Sequence, residues 1–227
     1  MSASYSLTTF SSSGKLGAID NAMVCINKAK LSLGVKSKSG VVVVSEKRQN
    51  TPLVDITTVQ KVYEITPSAG VAFSGMGTDF RVLLKGMRKE AQKYYLQFRE
   101  HMPLRRLARA TADKMQEFTQ AGGVRPFGCS VLLCGHDHTG FHLFLIDPAG
   151  SCQAWKATAI GKGSSSTRTF LEKRYTEELD LDDTIASALA SLREGCEGAL
   201  DAESVEVGVV DEQGFRILGT EEVSSFF

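Results

Sequence analysis

Leu31-Ser32-Leu33-Gly34-Val35-Lys36-Ser37-Lys38-Ser39-Gly40-Val41-Val42-Val43-Val44-Ser45 is the stretch that decides the fold. Two apolar runs flank Ser37-Lys38-Ser39-Gly40, a turn of the small, polar residue types that close hairpins. The second run is four valines in succession. β-Branched side chains favour strands, and an unbroken apolar run leaves no polar face, so this strand reads as buried on both sides. Burial on both sides requires one layer above it and another below.

The pattern continues in both directions. Residues 59–65 and 71–74 predict a second hairpin across 66–70. Gly75-Met76-Gly77 marks a switch to helix, Thr78-Asp79 can cap it, and the helix runs to about residue 98. Pro103 starts another helix, with Leu104, Leu107, Ala108, Met115 and Phe118 on its buried face and Gly122-Gly123 as its stop. Strands follow at 127–135, 141–147 and 152–159, helices at 167–174 and 181–197, and strands at 205–210 and 215–218. Upstream, Leu16, Ile19, Met23 and Ile26 recur in steps of three and four, giving a short amphipathic helix.

Strands in runs and helices in pairs mean α+β rather than alternating α/β. The expected architecture is two facing antiparallel sheets with a helix pair on each outer face, a four-layer αββα sandwich with an N-terminal helical extension. Residues 1–30 form the extension and 31–227 a single-domain core.

Composition narrows the function. Among 227 residues, 26 Lys+Arg balance 26 Asp+Glu. That argues against bulk electrostatic binding to nucleic acid. The balance is uneven along the chain: residues 81–114 hold ten basic and three acidic residues, and 172–227 hold fifteen acidic and four basic. Such a split suits neutralisation within the fold or head-to-tail pairing with neighbours. Cys25, Cys129, Cys134, Cys152 and Cys196 are odd in number and lack C-x-x-C spacing, against a disulfide framework or zinc finger. Free thiols, no signal-peptide pattern in residues 1–10 and no long apolar span point to the cytoplasm and nucleus.

Several segments then become specific. Ser6-Leu7-Thr8-Thr9-Phe10-Ser11-Ser12-Ser13-Gly14-Lys15-Leu16 resembles the opening of eukaryotic proteasome α subunits, as does Ser74-Gly75-Met76-Gly77-Thr78-Asp79-Phe80-Arg81. Arg125-Pro126-Phe127-Gly128, Asp147-Pro148-Ala149-Gly150, Trp155-Lys156-Ala157-Thr158-Ala159-Ile160-Gly161-Lys162 and Phe170-Leu171-Glu172-Lys173-Arg174-Tyr175 are similar to further segments of that family, in the same order. The resemblance covers nearly the whole chain. It implies the N-terminal nucleophile hydrolase-like fold of proteasome subunits. It also implies a place in a seven-membered ring of α subunits of the 20S core particle, stacked on β rings, serving ubiquitin-dependent protein degradation. Cofactors, metals, nucleic acid and membranes have no part in that role.

The resemblance also assigns sites. Lys61 matches a lysine lining a pocket between neighbouring subunits, where activator tails dock by their C-terminal carboxylate; Gly75 and Met76 match the pocket wall. Alone, a lysine beside Val59 and Val62 reads as a solvated outer residue of a strand. The N-terminal segment is expected to gate the pore, and the helix bearing Leu16, Ile19 and Asn21 to touch ring neighbours. Four family residues are replaced here: the turn proline by Ser12, the helix glutamine by Ala18, the helix tyrosine by Asn21, and the gate tyrosine by Ala3, with Tyr5 the nearest tyrosine.

Is the chain itself catalytic? Related β subunits use an N-terminal threonine whose free amine is the base for its own hydroxyl. Here Lys30-Leu31-Ser32 enters the corresponding strand with no Gly-Thr, Gly-Ser or Gly-Cys before it. Thr8-Thr9 is internal. The expectation is therefore a non-catalytic subunit; the alternatives are a self-standing N-terminal nucleophile hydrolase and a metal- or nucleotide-binding module. For the module, Cys134, His136, His138 and His142 offer zinc-ligand chemistry or a polar hairpin tip. Gly161-Lys162-Gly163-Ser164 offers part of a phosphate loop or a tight strand-to-helix turn. The basic run, with Arg105, Arg106 and Arg109, reads as a solvated face or subunit contact, since no aromatic platform accompanies it.

Overall fold

The valine run is buried from both sides. In a computed structural model, which describes residues 9–47, 51 and 53–227, β1 (Ser32–Lys36) and β2 (Val41–Glu46) form an antiparallel hairpin with Lys36 opposite Val41. Val41 and Val43 face the layer between two sheets, whereas Val42 and Val44 face the helices outside. All four are fully buried.

This hairpin lies inside an antiparallel sheet ordered β10 (Gly214–Ile217), β9 (Val205–Asp211), β2, β1 and β8 (Ala157–Ile160). The second sheet is ordered β3 (Val62–Thr66), β4 (Ala69–Gly75), β5 (Cys129–Asp137), β6 (Gly140–Ile146) and β7 (Cys152–Ala154), also antiparallel throughout. On its outer face lie α2 (Gly77–Phe98) and α3 (Leu104–Gln120), packing Phe80, Met87, Leu107 and Met115 against Val71, Phe73, Val131 and Leu133. Outside the first sheet, α4 (Ser164–Arg174) and α5 (Leu181–Gly195) bury Leu171, Ile185, Leu189 and Leu192 against Leu33, Val42, Val44 and Val207. Val41, Val43, Ala72, Leu132, Leu143 and Ile160 fill the space between the sheets. The result is the four-layer αββα sandwich that the sequence predicts. Each leucine or valine so placed contributes on the order of 1.5–3 kcal/mol.

α1 (Gly17–Lys28) crosses one end of the sandwich. It buries Ala22 and Ile26, and its Cys25 thiol points at the Gly128 carbonyl, 3.9 Å away.

Three local expectations change. The predicted strand 152–159 breaks at Trp155-Lys156: its first part pairs with β6 in one sheet and its second with β1 in the other. Trp155 donates its main-chain N–H to the Leu143 carbonyl, the Lys156 carbonyl accepts from the Lys36 N–H, and the Trp155 ring packs in the layer between, so one continuous segment joins both sheets. The predicted strand 59–65 starts only at Val62; at its start the N–H groups of Lys61 and Val62 go to the Glu206 side chain. The short α6 (Thr220–Ser224), unread in the sequence, closes the outer cluster with Val223.

Candidate functional site

Gly75-Met76 is shaped by the Arg125-Pro126-Phe127-Gly128 segment opposite it. Met76 donates its N–H to the Gly128 carbonyl at 2.8 Å. Gly128 donates its own N–H to Asp79 Oδ2 at 2.9 Å, in the first turn of α2. Arg125 forks onto the same carboxylate, Nη1 to Oδ2 at 2.5 Å and Nη2 to Oδ1 at 2.9 Å. The Arg125 hydrogen bond outweighs burial and holds the Asp79 carboxyl below its ordinary range. Gly75 has φ +115°, and a Cβ there would stand 2.2 Å from the Gly128 carbonyl oxygen. Only glycine fits. Met76 is left 42% exposed, with Sδ 4.0 Å from Arg125 Nη2.

Lys61 lies one strand away, immediately before β3. It is 9% exposed, so its reading as a solvated outer residue is wrong. Its ammonium sits 3.9 Å from the centroid of the Phe73 ring, a cation–π contact with the strand that ends at Gly75. Its main-chain N–H and that of Val62 both donate to Glu206 Oε2, at 2.5 and 2.9 Å. The ammonium also feels Glu46, which is paired with Lys30 at 2.9 Å. Burial pulls the Lys61 amine down to about 8 against the opposing pull of the Glu46 and Glu206 carboxylates. The sheet end thus brings Lys61, Phe73 and Gly75 together, but Lys61 is covered while Met76 is open. Sequence reasoning missed Glu46, Phe73 and Glu206. Their one signal was an acidic residue at the end of one valine-rich strand and another within a second.

Ser32 begins β1, where a related nucleophile would stand. Its hydroxyl is fully buried, donates to the Phe73 carbonyl at 2.8 Å and lies 2.6 Å from the Ser45 hydroxyl. Ser74 reciprocates by donating to the Lys30 carbonyl at 2.8 Å. These hydroxyls tie one sheet to the other.

Ser12 sits exposed in a turn closed by Ser11, whose N–H donates to Lys15 at 2.8 Å and whose carbonyl accepts from Gly14 at 2.9 Å. Leu16 flanks α1, Ile19 is half-buried on it, and Asn21 is exposed on its outer side. Ala3 and Tyr5 lie outside the described residues.

The remaining motifs have structural partners. Cys134 is buried between the sheets and donates to the Gly70 carbonyl; burial pushes its thiol up to about 12. Asp137 gathers Thr139 and His142 at the hairpin tip, with His142 Nε2 3.1 Å from Oδ1. Among the described residues, no three His, Cys, Asp or Glu side chains are grouped to hold a metal ion. Gly163 has φ +82° and a Cβ there would stand 2.0 Å from the Gly195 carbonyl, while Lys162 pairs with Glu197 at 2.8 Å. That is the tight-turn reading. In the basic run, Arg88 donates to the Glu64 carbonyl and Arg106 lies over Tyr94.

Two facing antiparallel sheets between helix pairs, with a helix laid across the end where the first strand begins, define a sandwich of the N-terminal nucleophile type. Residues 26–210 match the family described as proteasome subunits, and the chain belongs to that family. Over 224 residues it is 49% identical to proteasome subunit alpha type-2 of Oryza sativa subsp. indica, covering 98% of this chain and 95% of that one. It is 47% identical to the alpha type-2 subunit of Dictyostelium discoideum, over 98% of this chain and 96% of the other. With that of Drosophila melanogaster it shares 44%, over 98% and 95%. The short segment likenesses favour type 2 among the α types, and the full-length comparisons agree. As a proteasome subunit of the α type, the chain is a component of the ringed particle.

Proposed function

We propose that this chain is a non-catalytic building block of the α ring of the 20S core particle, in the cytoplasm and nucleus. The observation that carries the reading is Ser32. It is internal, it has no free amine to act as base, and its hydroxyl is buried, bonded to Phe73 of the facing sheet and to Ser45 of its own. α1 packs against β4 and β5. Partly uncovered apolar residues, Val24 on α1 and Val82, Leu96 and Phe98 along α2, support a chain that packs against ring neighbours and the β ring.

In this reading residues 1–30 line and gate the pore from the ring top. The Lys61, Gly75 and Met76 region receives the C-terminal carboxylate of an activator tail, since an ammonium beside main-chain amides suits a carboxylate. Size and activity test the reading together. Four seven-membered rings of chains of 24.6 kDa amount to about 690 kDa, the expected native mass of the endogenous particle. The purified chain should leave peptides intact. A stable monomer that cleaves itself just before Ser32 and hydrolyses peptides would overturn it.

A further inference from the structure

Charges of both signs surround Lys61. Two cations, Lys30 and Lys61, face two carboxylates, Glu46 and Glu206. More tellingly, Glu206 uses one oxygen to accept the adjacent N–H groups of Lys61 and Val62. Two neighbouring main-chain donors beside an ammonium form the kind of receptor a chain-end carboxylate requires. Here the protein's own β9 supplies that carboxylate from the opposite sheet.

We propose that Glu206 is an internal competitor that sets how tightly the Lys61 region binds a docking carboxylate. This rests on the docking role proposed above for Lys61. An incoming carboxylate adds a negative charge to a place that already holds the Glu206 and Glu46 carboxylates. It can displace Glu206 from the amide pair or share Lys61 with it. In either case Glu206 opposes binding by like charge in a partly buried, weakly screened place. The device favours tails that bring enough other contacts to overcome that opposition, and rejects isolated carboxylates.

The experiment uses core particles assembled with variant chains. The probe is a short peptide with a free C-terminal carboxylate, with the same peptide amidated as control, titrated at pH 6.5. Glu206→Gln keeps an oxygen for the two N–H groups and removes the charge. It should tighten binding of the free-acid peptide about tenfold and leave the amide unchanged. Lys61→Ala in parallel should weaken the free-acid peptide. If Lys61→Ala has no effect, the docking role itself fails. If Lys61→Ala weakens binding but Glu206→Gln does not tighten it, the docking role stands and Glu206 is no competitor. Should Glu206→Gln prevent ring assembly, Glu206→Asp draws the carboxylate back from the amide pair by one methylene; it too should tighten binding of the free-acid peptide, and unchanged affinity would overturn the proposal.

Discussion

Arg125 grips Asp79 with both guanidinium nitrogens while the same carboxylate accepts the Gly128 N–H, so three residues fix the bend between β4 and α2. Asp79 is nearly covered and Arg125 half-exposed, so solvent screens part of the pair. Asp79→Ala leaves Gly128 unpartnered and should cost about 2 kcal/mol at neutral pH. The Asp79 carboxyl is held below its ordinary range, chiefly by the Arg125 hydrogen bond. Its contribution is therefore complete above the unfolded value near pH 4 and is lost as pH falls through the lower folded value. Urea unfolding of both chains should show the difference at pH 7 shrinking toward acid.

Asp137 offers a second acid-sensitive tie, joining the β5–β6 hairpin to the start of α3. Burial would raise its carboxyl, but hydrogen bonds from the Thr139 hydroxyl and N–H and the Leu104 N–H, with His142 adjacent, bring it to about 2. A depressed carboxyl stabilises the fold above the unfolded value and loses that contribution between about pH 4 and 2. The shift corresponds to about 2 kcal/mol. Asp137→Asn should cost that much at pH 7 and flatten the acid limb of the urea midpoint.

The layered fold was legible because its cause is local. Four valines in a row state that a strand has two buried faces, and stepwise apolar residues state where each helix turns inward. The switch at Trp155-Lys156 was not legible, since extended backbone looks the same whichever sheet it joins. The burial of Lys61 was hidden for a different reason. Its covering carboxylate, Glu206, is 145 residues away in sequence, and no local pattern announces a pairing across two sheets. Resemblance marked Lys61 as a site, but only the fold shows what surrounds it.

That burial has an alkaline signature. The Lys61 amine lies near 8 when folded, against 10.5 when free. Between those values the folded chain holds fewer protons than the unfolded chain, so this group makes stability rise with pH. Cys129 and Cys134, pushed up to about 12 by burial, act in the opposite sense above their free value. Comparing wild type with Lys61→Met removes the cysteine contribution. Wild type should gain about 1 kcal/mol on the variant between pH 8 and 9. Lys61→Met should be the more stable chain at pH 7. Parallel pH profiles of the two would show that Lys61 is not buried as a charge.

Gly75 and Gly86 should respond oppositely to the same change. Gly75→Ala places a methyl group 2.2 Å from the Gly128 carbonyl oxygen and asks an L-residue to hold φ +115°. Neither demand can be met by a side-chain adjustment, because the obstacle is backbone. A loss of about 3 kcal/mol or more is expected. Gly86 stands inside α2, and a Cβ there meets nothing within 4 Å. Gly86→Ala should add about 0.5–1 kcal/mol by reducing the freedom of the unfolded chain. Urea midpoints of the two variants on either side of wild type would confirm the Gly75–Gly128 approach; equal shifts would mean that the bend relaxes to admit a side chain.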